Sequence, residues 1–244
     1  VILTRVFPAP KESARVEILD LAVPESRERL LELYRPPRGP WLRMNLITSV
    51  GGSAAGSDGT SESLTNSADR KILGVIRELA DIVLVGAQSV RAEGFVLPRS
   101  ARLAIVTGSG NLSGHRITAT DDRVYVLCPA AAAPLAAASL PGARIIEVAD
   151  DRGALDPAVV LETLRAEGFG SIVCEGGPSL VAQFARAGLI DELCLSTSPQ
   201  LGGPSLPLLG DAQIDAVRLE LTQLLMDDSS GLYARWAVTA ASSR

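Results

Sequence analysis

Between residues 81 and 177 the chain keeps returning to one pattern: a short apolar run rich in β-branched residues, a helical stretch or polar loop, then another apolar run. DIVLVG (81–86), LAIVT (103–107), RVYVLC (123–128), ARIIEVA (143–149) and SIVCEGG (171–177) are these runs. They lack sustained polar/apolar alternation, so each strand has to be covered on both faces, as in a parallel sheet between two layers of helices. Covering helices are predicted at SADRKILGVIRELA (67–80), with Ser67 as its cap, in the alanine run after Pro129, and at PAVVLETLRAEG (157–168). A three-layer α/β/α domain with a mixed, mostly parallel sheet accommodates all of them.

Both ends depart from that pattern. Residues 1–40 carry Pro8, Pro10, Pro24, Pro36, Pro37 and Pro40 around one helical segment, SRERLLELY, and are expected to form an arm over a domain spanning 41–244. WLRMNLITS (41–49) reads as a strand that leads into the polar loop GGSAAGSDGTSESLTN (51–66). ELCLSTSPQ (192–200), AVRLELTQLLM (216–226) and LYARWAVTA (232–240) follow one another without clear helices and are expected as antiparallel strands at the sheet edge.

The 244 residues, 47% of them apolar, suffice for one large α/β domain or two small ones. Net charge is −5, and 21 arginines are scattered with only two lysines, so no continuous phosphate track is offered and nucleic acid is not an expected partner. Cys128, Cys174 and Cys194 are far from each other and from the single His115. That spacing excludes the usual zinc sites and a disulfide framework, and suits free core thiols in a reducing cytoplasm. Prolines interrupt the longest apolar run, 129–143, so neither a membrane span nor a signal peptide is expected.

SIVCEGGPSL places Glu175, Gly176, Gly177 and Pro178 where a strand gives way to a helix. In an open α/β sheet, ligands sit beyond the carboxyl ends of the strands. Glycine lets the backbone approach a ligand, and Pro178 in the first helical turn loses no useful N–H. The amides of Ser179 and Leu180 are expected to face outward at the positive end of the helix dipole, a seat for a phosphate or pyrophosphate. A tight turn that helps the helix pack is the other use of two glycines. Glu175 is ill placed beside a pyrophosphate and is expected to reach a substrate donor group or a nicotinamide amide.

DIVLVGAQSVRAEGF repeats the arrangement with Gly86 and Ser89, and two such strand ends serve the two halves of a dinucleotide. TGSG (107–110) is a third polar end, suited to a 2′-phosphate, with Arg91 the nearest cation unless it is an ordinary exposed helix arginine. A GxGxxG that follows a strand and opens a helix is absent, as is any GxxxxGK[ST], which removes the standard Rossmann fingerprint and the P-loop hydrolases.

In combination and order, SIVCEGGPSL, GLIDELCLSTSPQLGG, ADIVLVGAQSVRAEGF and NLITSVGG…GTSESLTNSADR resemble the reductase domain of bacterial riboflavin biosynthesis, and most of all its stand-alone pyrimidine reductases. The resemblance runs from about Trp41 to the C-terminus. It implies a dihydrofolate-reductase-like fold and NADPH as cofactor, held by Ile47, Thr48, Gly86, Ser89, Val90, Glu93, Thr107, Ser109, Gly176, Gly177, Pro178, Ser179 and Leu180. On the substrate side it implies Asn45, Ser49, Ser61, Asp69, Arg77, Leu97 and Glu175, and it also implies a homodimer. Arg77 suits a sugar phosphate, or equally a helix face where it pairs with a nearby glutamate.

The implied reaction reduces a ribosylaminopyrimidine phosphate to its ribityl form. The sugar opens to an imine and C1′ receives a hydride, with Glu175 and Asp69 as candidate catalytic carboxylates for the proton. Asp69 equally suits the first turn of a helix, where the dipole favours an acid. Two positions depart from the family's K-x-x-x-S-x-D-G: Asn45 stands for the lysine and Gly51 for the aspartate. With one histidine and no PCxxC, a zinc deaminase site cannot form, so the preceding deamination is not expected of this chain. Two other readings use the same residues. One is a reductase acting on a pterin, with Asp69 bonding its 2-amino and N3 positions; the other is a non-enzymatic NADP-binding protein, for which Gly51 leaves room.

Overall fold

The apolar runs of the central region all become strands in the computed structural model of the chain, which describes residues 1–8, 16–95, 97–117, 122–148, 150–151 and 154–239. Pro10, Ala149 and Ala240, within stretches quoted above, lie outside the described residues. In chain order the strands are β1 (Ile2–Phe7), β2 (Ile18–Asp20), β3 (Trp41–Ser49), β4 (Ile82–Gly86), β5 (Arg102–Val106), β6 (Val124–Cys128), β7 (Arg144–Glu147), the small hairpin β8 (Asp150–Asp151) and β9 (Ala154–Leu155), β10 (Ser171–Cys174), β11 (Glu192–Ser198), β12 (Leu219–Asp227) and β13 (Leu232–Val238). The helices are α1 (Pro24–Tyr34), α2 (Ser67–Glu78), α3 (Ala87–Glu93), α4 (Ala133–Ser139), α5 (Pro157–Ala166) and α6 (Pro178–Arg186).

Eleven strands form one sheet in the order β2, β1, β12, β13, β11, β3, β10, β4, β5, β6, β7. From β11 through to β7 every neighbouring pair is parallel. Successive residues of a strand face opposite sides. Val83 and Val85 of β4 therefore join one core with Ala68, Ile72, Val75 and Ile76 of α2. Ile82 and Leu84 join the other core with Leu161 and Leu164 of α5 and Val181 and Phe184 of α6. This two-sided burial is what the unalternating runs encode.

Three expectations are corrected. β12 and β13 are antiparallel as expected, and β11 is antiparallel to β13, but on its other side β11 runs parallel to β3, with Cys194 opposite Asn45. Its segment follows helix α6, and a strand–helix–strand connection returns parallel. Residues 1–40 also do more than lie over the domain: β1 pairs with β12 and β2 with β1, so the C-terminal strands are not the edge. Helix α1, expected over SRERLLELY, sends Leu30, Leu33 and Tyr34 into the core that contains α2.

The third correction concerns the start of α2, where Asn66 rather than Ser67 is the cap. Its Oδ1 accepts from the Asp69 N–H at 2.9 Å and from the Tyr233 hydroxyl at 3.0 Å, while Nδ2 donates to Asp227 at 2.8 Å. Ser67 is already inside the helix. Asn66→Ala is expected to lower stability by about 1–2 kcal/mol, the loss of a cap and of the Asn66 hydrogen bond to Asp227, while the Tyr233 hydroxyl keeps its own bond to Asp227 at 2.6 Å. A urea titration with an unchanged m-value measures this, and an unmoved midpoint would show that the cap contributes nothing.

A buried ionic cluster closes the other end of the domain. Glu192, 3% exposed, accepts from Arg43, 2% exposed, and from Arg235 Nε at 2.7 Å. Arg43 also donates to the Tyr34 carbonyl at 2.7 Å and Arg235 to the Leu33 carbonyl. Helix α1 has no basic residue in its last turn, and these two guanidiniums supply that charge from β3 and β13. Cys128, Cys174 and Cys194 are buried free thiols, and burial pushes those of Cys174 and Cys194 up to about 12. Among the described residues no helix is long and apolar enough to cross a membrane.

Candidate active site

Because β3, β10, β4 and β5 are parallel, their C-terminal ends open on one side. Asn45 and Ile47, Glu175 and Gly177, Gly86 and Ser89, and Thr107 and Ser109 meet there around two adjoining cavities of about 450 and 930 Å³. Ser89, Glu93, Gly177, Pro178 and Leu206 line both. The loop 51–66 is clasped to the loop after β11. Ala54 N–H donates to the Leu206 carbonyl at 2.7 Å, the Ser53 hydroxyl to the Pro204 carbonyl at 2.6 Å, and Gln200 Nε2 to the Ser63 carbonyl at 2.9 Å.

The smaller cavity holds most of the residues expected at a substrate: Asn45, Ser61, Asp69, Arg77 and Glu175, together with Ile47, which was expected at the cofactor. Arg77 and Glu175 grip each other in a two-pronged pair, Nε to Oε1 at 2.7 Å and Nη2 to Oε2 at 2.6 Å. Phe95 lies under the guanidinium, 5.0 Å from ring centre to Cζ. Burial works against the charge of Arg77, but Glu175 outweighs it and raises the guanidinium above its usual range. Asp69 accepts from the Thr65 hydroxyl at 2.5 Å, and Ser61 donates to Glu93 at 2.8 Å. Arg70, which also lines this cavity, is paired with Glu62.

The larger cavity is lined by Gly86, Ser89, Glu93, Thr107, Ser109, Gly177, Pro178, Ser179 and Leu180, all expected at a cofactor. Gly177 is the residue before α6, and a Cβ there would fall 2.8 Å from the Ser89 hydroxyl oxygen. Gly176 has φ +89°, a conformation that L side chains rarely adopt, and its carbonyl takes the Gly86 N–H at 2.8 Å; the bond between the two glycines is cis. One amide expected to face outward does not: Leu180 N–H turns back to the Gly177 carbonyl at 3.0 Å, closing the first helical turn. The cations on this cavity are Arg91, which donates to the Asn111 carbonyl at 2.6 Å, and Arg186, which donates to the Gln213 carbonyl at 3.3 Å.

Thr48, Ser49, Val90, Leu97 and Gly176 line neither cavity. Thr48 is buried between strands opposite Thr197, and Ser49 accepts from the Ser53 N–H at 3.3 Å. Val90 is on the core-facing side of α3 and Leu97 packs partly buried against the same core. Gly51 also lies outside both linings; a Cβ there meets Leu201 at 3.6 Å and Ser49 at 3.7 Å, ordinary contacts. Residues that sequence reasoning missed include Thr65, Arg70, Phe95, Arg186, Leu206 and Gly210. Phe95 stood in a quoted motif, whereas Leu206 and Gly210 come from a loop with no periodic signal.

The fold is dihydrofolate-reductase-like, a mostly parallel sheet between helices with its crevice at the carboxyl ends of the central strands. The chain belongs to the RibD C-terminal domain family of riboflavin-biosynthesis reductases, whose family model matches residues 40–231. It is 30% identical over 167 residues to riboflavin biosynthesis protein RibD of Mycobacterium tuberculosis, an alignment covering 68% of this chain and 44% of that protein. The chain therefore spans less than half the length of that relative. A pyrimidine reductase-like protein of Corynebacterium diphtheriae shares the fold with TM-score 0.66 at 24% identity, over 83% of this chain and 93% of the other. Riboflavin biosynthesis reductase Rib7 of Saccharomyces cerevisiae gives TM-score 0.66 at 14% identity, over 86% and 98% of the two chains.

Proposed function

We propose that the chain is an NADPH-dependent reductase that converts a ribosylaminopyrimidine phosphate to its ribityl form in riboflavin biosynthesis. The observation that carries this reading is the pair of adjoining cavities sharing Ser89, Glu93 and Gly177, a larger one for a dinucleotide and a smaller one for its partner. The cofactor fits the residues present. A Cβ at Gly177 would crowd the Ser89 hydroxyl, and without one the backbone there is free to approach a pyrophosphate. Gly86, Ser89, Thr107, Ser109, Pro178 and Ser179 would hold it, with Arg91 and Arg186 as the cations for its phosphates. When bound, the reduced nicotinamide supplies a hydride.

The chain's own residues orient the substrate and exclude water. Glu175, held by Arg77, offers its remaining lone pairs to N–H groups of the pyrimidine, and Asn45 replaces a family cation with a neutral donor and acceptor. The clasped loops 51–66 and 200–210 roof the smaller cavity. Residues 41–244 carry the site in this reading and residues 1–40 brace it, within a cytoplasmic homodimer.

The test is NADPH oxidation by the purified chain, followed by loss of nicotinamide absorbance, with ribosylaminopyrimidine phosphate and dihydrofolate in parallel. Turnover of the pyrimidine alone is the expected result. Turnover of dihydrofolate alone would move the substrate to a pterin, and tight NADPH binding with neither would leave an NADP-binding protein.

A further inference from the structure

Helix α2 lines the smaller cavity with Asp69, Arg70, Leu73, Gly74 and Arg77, a stripe along one side of the helix. Among the described residues, Arg70 and Arg77 are the cations of that lining. They stand seven positions apart, about 10 Å along the helix axis and in nearly the same direction. Arg77 is already committed: its side chain is 23% exposed, its fork is closed on Glu175, 8% exposed, and Phe95 lies under it. Arg70 is 56% exposed and its partner Glu62 69%, a pair that water screens and that contributes little. Asp69, Glu62 and Glu93 line the same cavity, so a phosphate entering it needs a cation whose charge is not already spent.

Between the two arginines stands Gly74. It lies in the interior of α2, where glycine weakens a helix relative to alanine. The residue is exposed and a Cβ there would meet nothing within 4 Å, so packing does not require the missing side chain. What the glycine leaves is a bare turn of backbone on the cavity wall, over which a ligand can lie closely.

We propose that Arg70 holds the phosphate of the substrate, with the sugar chain lying across the bare backbone at Gly74 and the heterocycle at Glu175. The proposal rests on the reductase reading above and places the phosphate away from Arg77. A phosphate displaces the exposed Glu62 from Arg70 because it brings about two charges and more acceptor oxygens than a carboxylate. The opened five-carbon sugar has a reach of the same order as the distance between the two arginines. Arg70 thus supplies from α2 the positive charge that the family pattern places at the position of Asn45 in β3.

The test compares ribosylaminopyrimidine phosphate with its dephosphorylated nucleoside, using the full chain and NADPH. The wild type is expected to favour the phosphate in kcat/KM by about 10- to 100-fold, the worth of a charged hydrogen-bonded contact. Arg70→Gln should bring that ratio close to one, and Arg70→Lys should restore part of it. Gly74→Leu should raise KM for both substrates by about tenfold while the urea midpoint does not fall. An Arg70→Gln variant that keeps the ratio overturns the proposal, as does one whose Kd for NADPH rises instead, read by nicotinamide fluorescence. Wild-type KM values in Gly74→Leu would remove the path across α2 and overturn it as well. A wild type that turns over both substrates equally overturns this proposal and leaves the reductase reading standing; one that turns over neither overturns both.

Discussion

Gly177→Val is expected to weaken NADPH binding on the order of 10- to 100-fold, because its methyl groups would occupy cavity space that the cofactor needs. The position is unusual in a specific way. Its φ is −74°, so a side chain there strains no backbone, and the obstacle is purely spatial. A Cβ would sit 2.8 Å from the Ser89 hydroxyl, which can rotate away, so Gly177→Ala should cost much less. The two branches of valine have nowhere to go except the junction shared by both cavities. Fluorescence titration with NADPH reads the effect, and a valine variant with wild-type affinity would remove the glycine seat from the account.

Glu192→Ala is expected to cost about 3–5 kcal/mol of stability, because it leaves two arginines without their counter-charge in a nearly dry site. Arg43 is 2% exposed and its partner 3%. Burial alone would raise the Glu192 carboxyl, but Arg43 and Arg235 outweigh it and hold it below the usual glutamate range in the folded state. A carboxylate lowered by folding contributes stability above its unfolded pKa, and that contribution is lost as pH falls through the folded value. Wild-type stability should therefore decline with acid more steeply than that of Glu192→Gln. Denaturant titrations at neutral and acidic pH measure both; a loss under about 1 kcal/mol for the alanine variant would mean the cluster behaves like a surface pair.

Much of the fold was legible because burial leaves a local trace. The apolar runs around Val83, Ile105 and Val126 announce strands covered on both faces, and the spacing of Ala68, Ile72, Val75 and Ile76 announces a helix with one buried side. The glycines and prolines after β10 and β4 marked the strand ends where ligands gather, and the motifs around them pointed to the family. β1 and β2 were harder: three to six residues among prolines carry little periodic signal. The Asn66 cap was missed by one position because both Asn66 and Ser67 are good caps, and only the geometry at Asp69 chooses between them.

The sequence by itself determined which segments are strands and helices, which strand ends carry polar groups, and the kind of crevice they make. Those properties depend on neighbours a few residues away. Only the tertiary structure decided which groups face one another: Glu175 against Arg77, 98 positions apart, Glu192 between Arg43 and Arg235, and Glu93 at the meeting of two cavities. Pairings of that kind follow from the path of the chain through the sheet, where β3 lies between β10 and β11, and no local spacing records that path.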